Sequence, residues 1–526
     1  MTASDLLVTC LEREGVDHVF GLPGEEMEDL LFSLRTSDVT FVPVRHEQGA
    51  AFMADVHGRL TGDAGVCLST LGPGATNLLT GVADAHLDKS PLVAITAQGS
   101  LERLHVESHQ AIDVVGMFEP VTKWNAQLND PDIVHESVRK AFKIAEYEKP
   151  GATHLELPED VAGEDTEVDP LSTRERTRGA DPDPESLARV EALLRESERP
   201  LLVAGNGAVR TGAAGPLREL VAVTDLPVVS TYMGKGAVSD DDEHSLMTLD
   251  SGAHEEAADA IADADLLLTV GYDIAEHDPA DWRRDDAAVV HIDSEPAEVY
   301  EAYNPDVEVV ADIGRTLQEL TEWCEATAAS FDTEWYSDLR KHIVADIDRE
   351  PADTPPFTVR DVLPILREAM ASDDVLISDV GSHKMAIAQN FPTYEPNTCL
   401  ISNGLASMGI AVPGGLAADL AIDENVVAAT GDGGFLMNAA EIETATRTGC
   451  SYTIVVFVDD DYGLISEKQL DHTDETVGTG LTNPDFVTFA ESFGIDGYRP
   501  ESPAELQDVF EAAIGGGMAL VEIPVE

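Results

Sequence analysis

The chain has 526 residues, with 100 Asp and Glu against 32 Lys and Arg, for a formal net charge of -68. Acid in this excess keeps a protein soluble but makes its compact state repel itself, and concentrated salt screens that repulsion, so adaptation to high salt is expected. The same charge argues against nucleic acid and anionic membrane surfaces as partners, because both need a basic footprint.

A hydrophobic fraction of 43% and apolar runs along the whole length point to a large buried core rather than disorder. The length suggests about three domains. No run of about 18 uncharged apolar residues occurs, so no membrane span is expected. The first stretch, MTASDLLVTCLEREGVDHVFG, reads as an amphipathic helix followed by a strand. It lacks the basic and apolar regions of a signal peptide, and a cytoplasmic location is expected. The five cysteines (Cys10, Cys67, Cys324, Cys399, Cys450) are far apart and form no CxxC pair, so neither a disulfide framework nor a zinc site is expected.

Short apolar runs then alternate with helical patterns in three blocks. The first holds VCLST, PLVAIT and HLELP and ends near Pro158. A polar stretch from about 160 to 186, rich in acid, Pro and Ser, reads as a linker. The second block holds RPLLVAGNGAV, LPVVST, DLLLTVGYD and AAVVHID. After a second loose stretch, 348 to 357, the third holds VLISDVG, VVAATGDGG, TIVVFVDDD and MALVEIP. Continuous apolar strands joined by helices imply parallel sheets covered on both faces. The expected fold is α/β, with three doubly wound parallel-sheet domains at 1–165, 186–325 and 355–526.

In such sheets ligands bind at the carboxyl ends of strands. Two acids sit there. ENVVAAT runs out into GDGGF at Asp432, and 27 residues later TIVVFV runs out into Asp459. Two adjacent strand ends would offer both carboxylates to one point. Mg²⁺ takes one or two carboxylates and keeps oxygens from substrate phosphates and water. Gly431, Gly433 and Gly434 let the backbone approach a phosphate, and the following helix start, FLMNAAEIETATR, favours an anion. The constellation suits a magnesium diphosphate.

GDG followed about 27 residues later by an acid at a strand end resembles the thiamin diphosphate motif. VRHEQGAAFMADVHGRLTG, STLGPGATNLLTGVADAHLDKSPLVAITAQ and HQAIDVVGMFEPVTKWN are similar to the pyrimidine-binding domain of the acetolactate synthase and pyruvate oxidase group. SDVGSHKMAIAQ and ISNGLASMGIAVPGG are similar to its diphosphate domain. The resemblance implies that Asp432, Asp459 and the carbonyl of Asp461 bind Mg²⁺, with Asp460 spare. Many relatives carry Asn at the second ligand position. Tyr462, Gly463, Leu464 and Ile465 follow and go with the cofactor.

The resemblance also implies roles in catalysis. Glu47, in RHEQG, would bond N1′ of the aminopyrimidine so that its imino form removes the C2 proton; a partly buried carboxylate can share such a proton. Met408, in GLASMG, would hold the cofactor bent. Ser382 and His383 would approach the diphosphate. Gln110 would point toward the substrate, and Gly72 and Gly74 could offer amides to an oxyanion.

The family pairs the pyrimidine domain of one subunit with the diphosphate domain of another, implying at least a dimer with the site at its interface. A small regulatory subunit is left open.

The second block, with LLLTVGYDIAEHDPADWRRDDAAVVHID and YNPDVEVVADIG, resembles the middle domain of acetolactate synthases, especially the flavin-free catabolic type. Tyr272 and Asp273 follow Gly271 where flavin-binding relatives often carry an Arg, so FAD is not favoured. AGNGAVRTG has Arg210 where a dinucleotide fingerprint needs its third glycine, so NAD is not expected. The expected reaction is decarboxylation of pyruvate and transfer to a second 2-oxo acid, forming 2-acetolactate. The rivals are another decarboxylase, oxidase or acyltransferase of the family, or a non-catalytic homologue. The polar run after Ile465, to about Asp485, is a candidate lid.

Overall fold

The computed structural model describes residues 1–249, 255–282, 287–348 and 351–526. Residues 283–286 of the central run quoted above, and 349–350 of the second loose stretch, lie outside the described residues. Three six-stranded sheets follow one another along the chain, and every strand pair is parallel. The expectation of three doubly wound α/β domains holds.

The first sheet contains β1 (His18–Gly21), β2 (Thr40–Pro43), β3 (Gly65–Ser69), β4 (Leu92–Gln98), β5 (Trp124–Gln127) and β6 (Ala152–Pro158), in the order β2-β1-β3-β4-β6-β5. The second contains β7 (Pro200–Ala204), β8 (Val228–Ser230), β9 (Ser245–Thr248), β10 (Leu266–Val270), β11 (Ala288–Asp293) and β12 (Val307–Val310), in the order β12-β11-β10-β7-β8-β9. The third contains β13 (Val375–Ser378), β14 (Cys399–Ile401), β15 (Val426–Gly431), β16 (Thr453–Val458), β17 (Asp496–Tyr498) and β18 (Ala519–Pro524), in the order β14-β13-β15-β16-β18-β17. The apolar runs of the sequence are the inner strands, buried along nearly their whole length because helices cover both faces. Edge strands such as β5, β14 and β17 are short and carry less apolar signal.

Each sheet reverses its strand order next to its first strand, between β1 and β3, β7 and β10, and β13 and β15. These reversals open crevices at the carboxyl ends of the flanking strands.

The first and third domains share one core. Ala50, Ala51 and Ala54 on the helix Glu47–Thr61 join Leu416, Ala417 and Ala418 on the helix Ala411–Ala421. Small residues let the two helices close together: a Cβ on Gly414 would lie 2.9 Å from Val56. Arg59, on the last turn of the first helix, bonds Asp55 at 2.9 Å, Asp88, and the carbonyl of Ile401 at 3.1 Å. Asp84 completes this buried cluster and accepts from Ser402 at 2.9 Å. A charge network between domains is tolerated in the interior because every member has a partner.

The linker is not loose. Its Arg174 bonds Glu14 and Glu146, and Arg176 bonds the carbonyl of Gly62 at 3.0 Å. No helix among the described residues is long and apolar enough to cross a membrane.

Candidate functional site

β13 ends at Ser378, and the chain turns through Asp379 into the helix Ser382–Asn390. β15 ends at Gly431 beside it, so His383 and Gly431 face each other across the β13–β15 reversal. A Cβ on Gly431 would lie 3.2 Å from the His383 ring. Asp432 follows as the first residue of a short helix, Asp432–Asn438. The expected single helix is two: the chain breaks at Ala439 and Ala440 and resumes as Glu441–Thr448. β16, next to β15, ends at Val458 and delivers Asp459 to the same edge.

Asp432 is buried and Asp459 lies on the exposed rim. Burial, then the charge of Asp459, raises the Asp432 carboxyl to about 6. A carboxylate disfavoured by burial and by a like charge is stabilised by a shared cation. Among the described residues no three His, Cys, Asp or Glu side chains converge as a ligand set. A third protein ligand for a cation here would come from the backbone.

The loop Asp459–Tyr462 is held from two sides. Asp460 has a left-handed backbone, φ +56°, and its amide donates to Asp432 Oδ2 at 2.9 Å. Asp460 is exposed, and its backbone is part of the loop's architecture. The Tyr462 amide donates to the Thr479 carbonyl at 3.1 Å, and the Leu481 amide to the Asp460 carbonyl at 2.6 Å. Ser466 Oγ bonds both Asp461 Oδ2 and Thr479 Oγ1. The candidate lid thus has two parts: Val477 is exposed, whereas 479–483 is strapped onto the loop.

Asn483 donates to Asp432 Oδ2 at 2.6 Å and to Asp460 Oδ1 at 2.8 Å. Sequence reasoning missed it, since it lies 51 residues beyond Asp432 with no local signal. Replacing Asn483 by Ala should free Asp432 to rotate and lower Mg²⁺ affinity roughly 10- to 100-fold, as loss of an outer partner typically does. Mg²⁺ titration of cofactor binding checks this, and an unchanged curve would sink the role.

Glycine makes the cradle. A Cβ on Gly433 would lie 2.7 Å from the Tyr462 ring, and one on Gly463 2.9 Å from Asp459 Oδ2 and 3.4 Å from Ser382 Oγ. One on Gly434 would press the Asp379 carboxylate at 3.1 Å. His383 Nε2 is buried without a hydrogen-bond partner, and burial pushes the ring down to about 4, so it is neutral. An orphaned polar nitrogen, a glycine cradle and two facing carboxylates fit an anion carried on a divalent cation.

Asp379 is a second missed residue. Its buried carboxylate accepts from Gly409 N and Val380 N at 2.7 Å and from Thr430 Oγ1 at 3.0 Å. It binds the ends of β13 and β15 to the turn that carries Met408. Met408 is half-buried, Leu464 half-buried, and Ile465 exposed.

Glu47 belongs to a separate set. It starts the helix after β2, is 4% exposed, and accepts from Asn77 Nδ2 at 2.9 Å. A Cβ on Gly74 would lie 3.3 Å from Glu47 Oε1, so the GPG loop closes over the carboxylate. Gly72, φ +48°, has no room for a Cβ, which would lie 2.3 Å from the carbonyl of Gln110. Gln110 itself is exposed with φ +56°. Among the described residues no hydrogen bond joins Glu47 or Gln110 to the Asp432 set. Glu441 of the third domain accepts from Arg45 N and His46 N at 3.0 Å, just before Glu47 in the chain.

In the central domain, Asp273 bonds Lys149 at 2.6 Å and Arg210 at 3.3 Å. The residue standing where a dinucleotide fingerprint needs glycine is thus part of a buried ion network. A Cβ on Gly207 would lie 2.5 Å from Gly271 Cα, so the backbones that leave β7 and β10 touch at these glycines.

The occupancy of Asp432 by a proton has a consequence. A protonated Asp432 cannot ligate, so Mg²⁺ affinity should fall as pH drops through about 6, by roughly tenfold per pH unit. Calorimetric Mg²⁺ titrations on either side of that pH check it; a flat dependence would contradict the carboxylate pair.

Comparison with known proteins agrees with this geometry. The descriptions "Thiamine pyrophosphate enzyme, N-terminal TPP binding domain", "central domain" and "C-terminal TPP binding domain" match residues 1–117, 187–320 and 379–523. The chain is 32% identical over 530 residues to the acetolactate synthase of Bacillus subtilis, covering 99% of this chain and 93% of that one. It is 33% identical over 538 residues to the catabolic acetolactate synthase of Raoultella terrigena, covering 99% and 95%. It is 32% identical over 545 residues to the acetolactate synthase large subunit of Corynebacterium glutamicum, covering 98% and 84%.

Proposed function

The chain belongs to the thiamine pyrophosphate enzymes, among the acetolactate synthases, and from that membership we propose that it decarboxylates pyruvate and joins the two-carbon unit to a second 2-oxo acid, forming 2-acetolactate. As an enzyme it is a thiamin diphosphate-dependent carboligase or decarboxylase. The reading is carried by one observation above the others: the facing pair Asp432 and Asp459 at adjacent strand ends, with a glycine cradle and the unpartnered His383 nitrogen beside it.

Asp432, Asp459 and the Asp461 carbonyl would hold Mg²⁺. Gly431, Gly433, Gly434, Ser382, His383 and the run Tyr462–Ile465 would hold the diphosphate and thiazolium side. Bound thiamin diphosphate supplies a nucleophilic carbon and an electron sink for the carboxylate lost from a 2-oxo acid. Glu47 would hold a proton at N1′ of the aminopyrimidine, with Asn77 orienting its carboxylate. Met408 would support the bent cofactor. Gln110 would meet the substrate, and the GPG loop, Gly72 to Gly74, would present amides to the carbonyl oxygen.

As the family resemblance implies, the complete site would form from the pyrimidine domain of one copy and the diphosphate domain of another, and a homodimer is the smallest assembly proposed. A small regulatory subunit remains open as a further partner. FAD is not part of the proposal, because Tyr272 and Asp273 follow Gly271 and the Asp273 carboxylate is held by Lys149 and Arg210. The domains are assigned as 1–165, 186–325 and 355–526, and the location as cytoplasmic.

The test is pyruvate turnover in concentrated KCl, with and without thiamin diphosphate and Mg²⁺, with products identified. Cofactor-dependent 2-acetolactate is expected. Acetaldehyde or acetyl phosphate alone, or no consumption by folded protein, would overturn the carboligase assignment.

A further inference from the structure

Met408, assigned above to the bend of the cofactor, sits in a turn with no regular structure of its own, between the end of β14 and the helix Ala411–Ala421. The turn is strained. Ala406 has a left-handed backbone, φ +54°, which its Cβ disfavours, and Gly409 follows Met408 at φ +96°. Strain of this kind persists only where surrounding contacts over-determine the backbone.

Those contacts come largely from another domain. Asp84 and Asp88, on and just after the helix Pro73–Leu87 of the first domain, are buried beside Asp55. Arg59 is the one cation that pairs with these three carboxylates among the described residues. Buried carboxylates that outnumber their cation need further hydrogen-bond donors. The turn supplies them. Asp84 accepts from Ser402 Oγ at 2.9 Å and from the amide of Ser407, the residue before Met408, at 3.2 Å. Asp88 accepts from Asn403 N at 3.2 Å and from Gly404 N. On the other side of Met408, Gly409 N donates to Asp379 at 2.7 Å, and Gly409 O accepts from Asn438 Nδ2 at 2.8 Å. Buried polar groups therefore grip both flanks of Met408, while its own side chain stays half-buried.

Given the cofactor reading above, we propose that Arg59, Asp84 and Asp88 of the first domain are positioning residues for the reaction: they hold the turn Ser402–Gly409 in the shape that presents Met408 to the cofactor. The grip is stiff for a physical reason. Moving the turn would leave two buried carboxylates short of donors, with no water at hand to replace them. Salt screens buried pairs far less than exposed ones, so the grip persists in concentrated salt. An ion cluster that reads as mere domain packing thus reaches the chemistry through one turn.

The experiment uses the full chain loaded with thiamin diphosphate and Mg²⁺ in concentrated KCl, and compares Asp84→Asn, Met408→Ala and the double variant. An amide side chain has one acceptor oxygen and cannot serve both Arg59 and the turn. Exchange of the C2 proton of the bound cofactor should slow roughly 10- to 100-fold in Asp84→Asn, the usual cost of a small misplacement. Its Mg²⁺-dependent cofactor binding should match the parent's. In the Met408→Ala background the same substitution should change exchange by less than about twofold, because groups that act through one another are not additive. Ser402→Ala removes one neutral donor and no charge. It should give the same signature at smaller size, and it decides the matter if Asp84→Asn does not fold. Parent-like exchange in the folded single variants at Asp84 and Ser402, a weakened binding curve, or losses that multiply in the double variant would each overturn the proposal. A parent that neither binds the cofactor nor exchanges its proton overturns the cofactor reading itself, and this proposal with it.

Discussion

Asp459→Ala is expected to abolish Mg²⁺-dependent retention of thiamin diphosphate, weakening it beyond the roughly 10- to 100-fold that loss of an outer-sphere partner costs. The expectation follows from where the two strands end. β15 and β16 are paired in register, Gly431 opposite Phe457, so the residues just beyond them share one edge. Asp432 is fixed there by Asp460 N, Asn483 and its own neighbour Gly433 N. Among the described residues no side chain bonds the Asp459 carboxylate, which accepts the Asp461 amide at 3.1 Å and keeps oxygens available to a cation. Mg²⁺ keeps few protein ligands, so removing one of two carboxylates removes much of the site. Asp432→Asn is a useful companion, because it should preserve the bonds from Asn483 and Asp460 in part while removing the charge. The measurement is cofactor binding against Mg²⁺ concentration, with circular dichroism to confirm folding. Full Mg²⁺-dependent binding by folded Asp459→Ala would remove this residue from the metal site.

Glu47→Gln should have the second large effect, and a different signature. Turnover of pyruvate should fall roughly 10²- to 10⁴-fold, the usual size of a lost general acid–base group. Cofactor affinity should change little, because Asp432, Asp459 and the glycine cradle lie in another domain. Gln still offers an oxygen to Asn77, whose bond to Glu47 Oε2 is 2.9 Å, so the helix start should keep its geometry. What the variant loses is the ability to carry a proton. Exchange of the C2 proton of bound thiamin diphosphate with deuterated solvent reports this step directly. Slow exchange with normal binding is the expected pair of results, and parent-like exchange would show that Glu47 does not act on the cofactor.

The two variants probe residues of unequal legibility. Asp432 and Asp459 stand at the ends of continuous apolar runs, and glycines flank the first. Such signals are local, so composition and pattern suffice to find them. Glu47 has no such signal of its own; only the run of motifs around it, in family order, singles it out. Its burial at 4% and its closure by the GPG loop come from three separate strands, β1 to β3, folding together.

By itself, then, the amino-acid sequence determined the three α/β blocks, their parallel sheets and the strand-end carboxylates. Each depends on spacing within a few residues or on the alternation of apolar runs with helices. The tertiary structure alone decided what lies across long separations. Asn483 reaches Asp432 because the 479–483 strap folds back on the loop. The Asp460 backbone reaches Asp432 and Leu481 because the chain is left-handed there. The helix after Asp432 breaks at Ala439, and Glu441 caps Arg45 and His46 from another domain. The turn that carries Met408 is gripped by Asp84 and Asp88 across 323 and 315 residues of sequence. The reason is physical: hydrophobic period and turn chemistry act between near neighbours, whereas hydrogen bonds and charges act through space and appear only when the folded chain brings distant positions together.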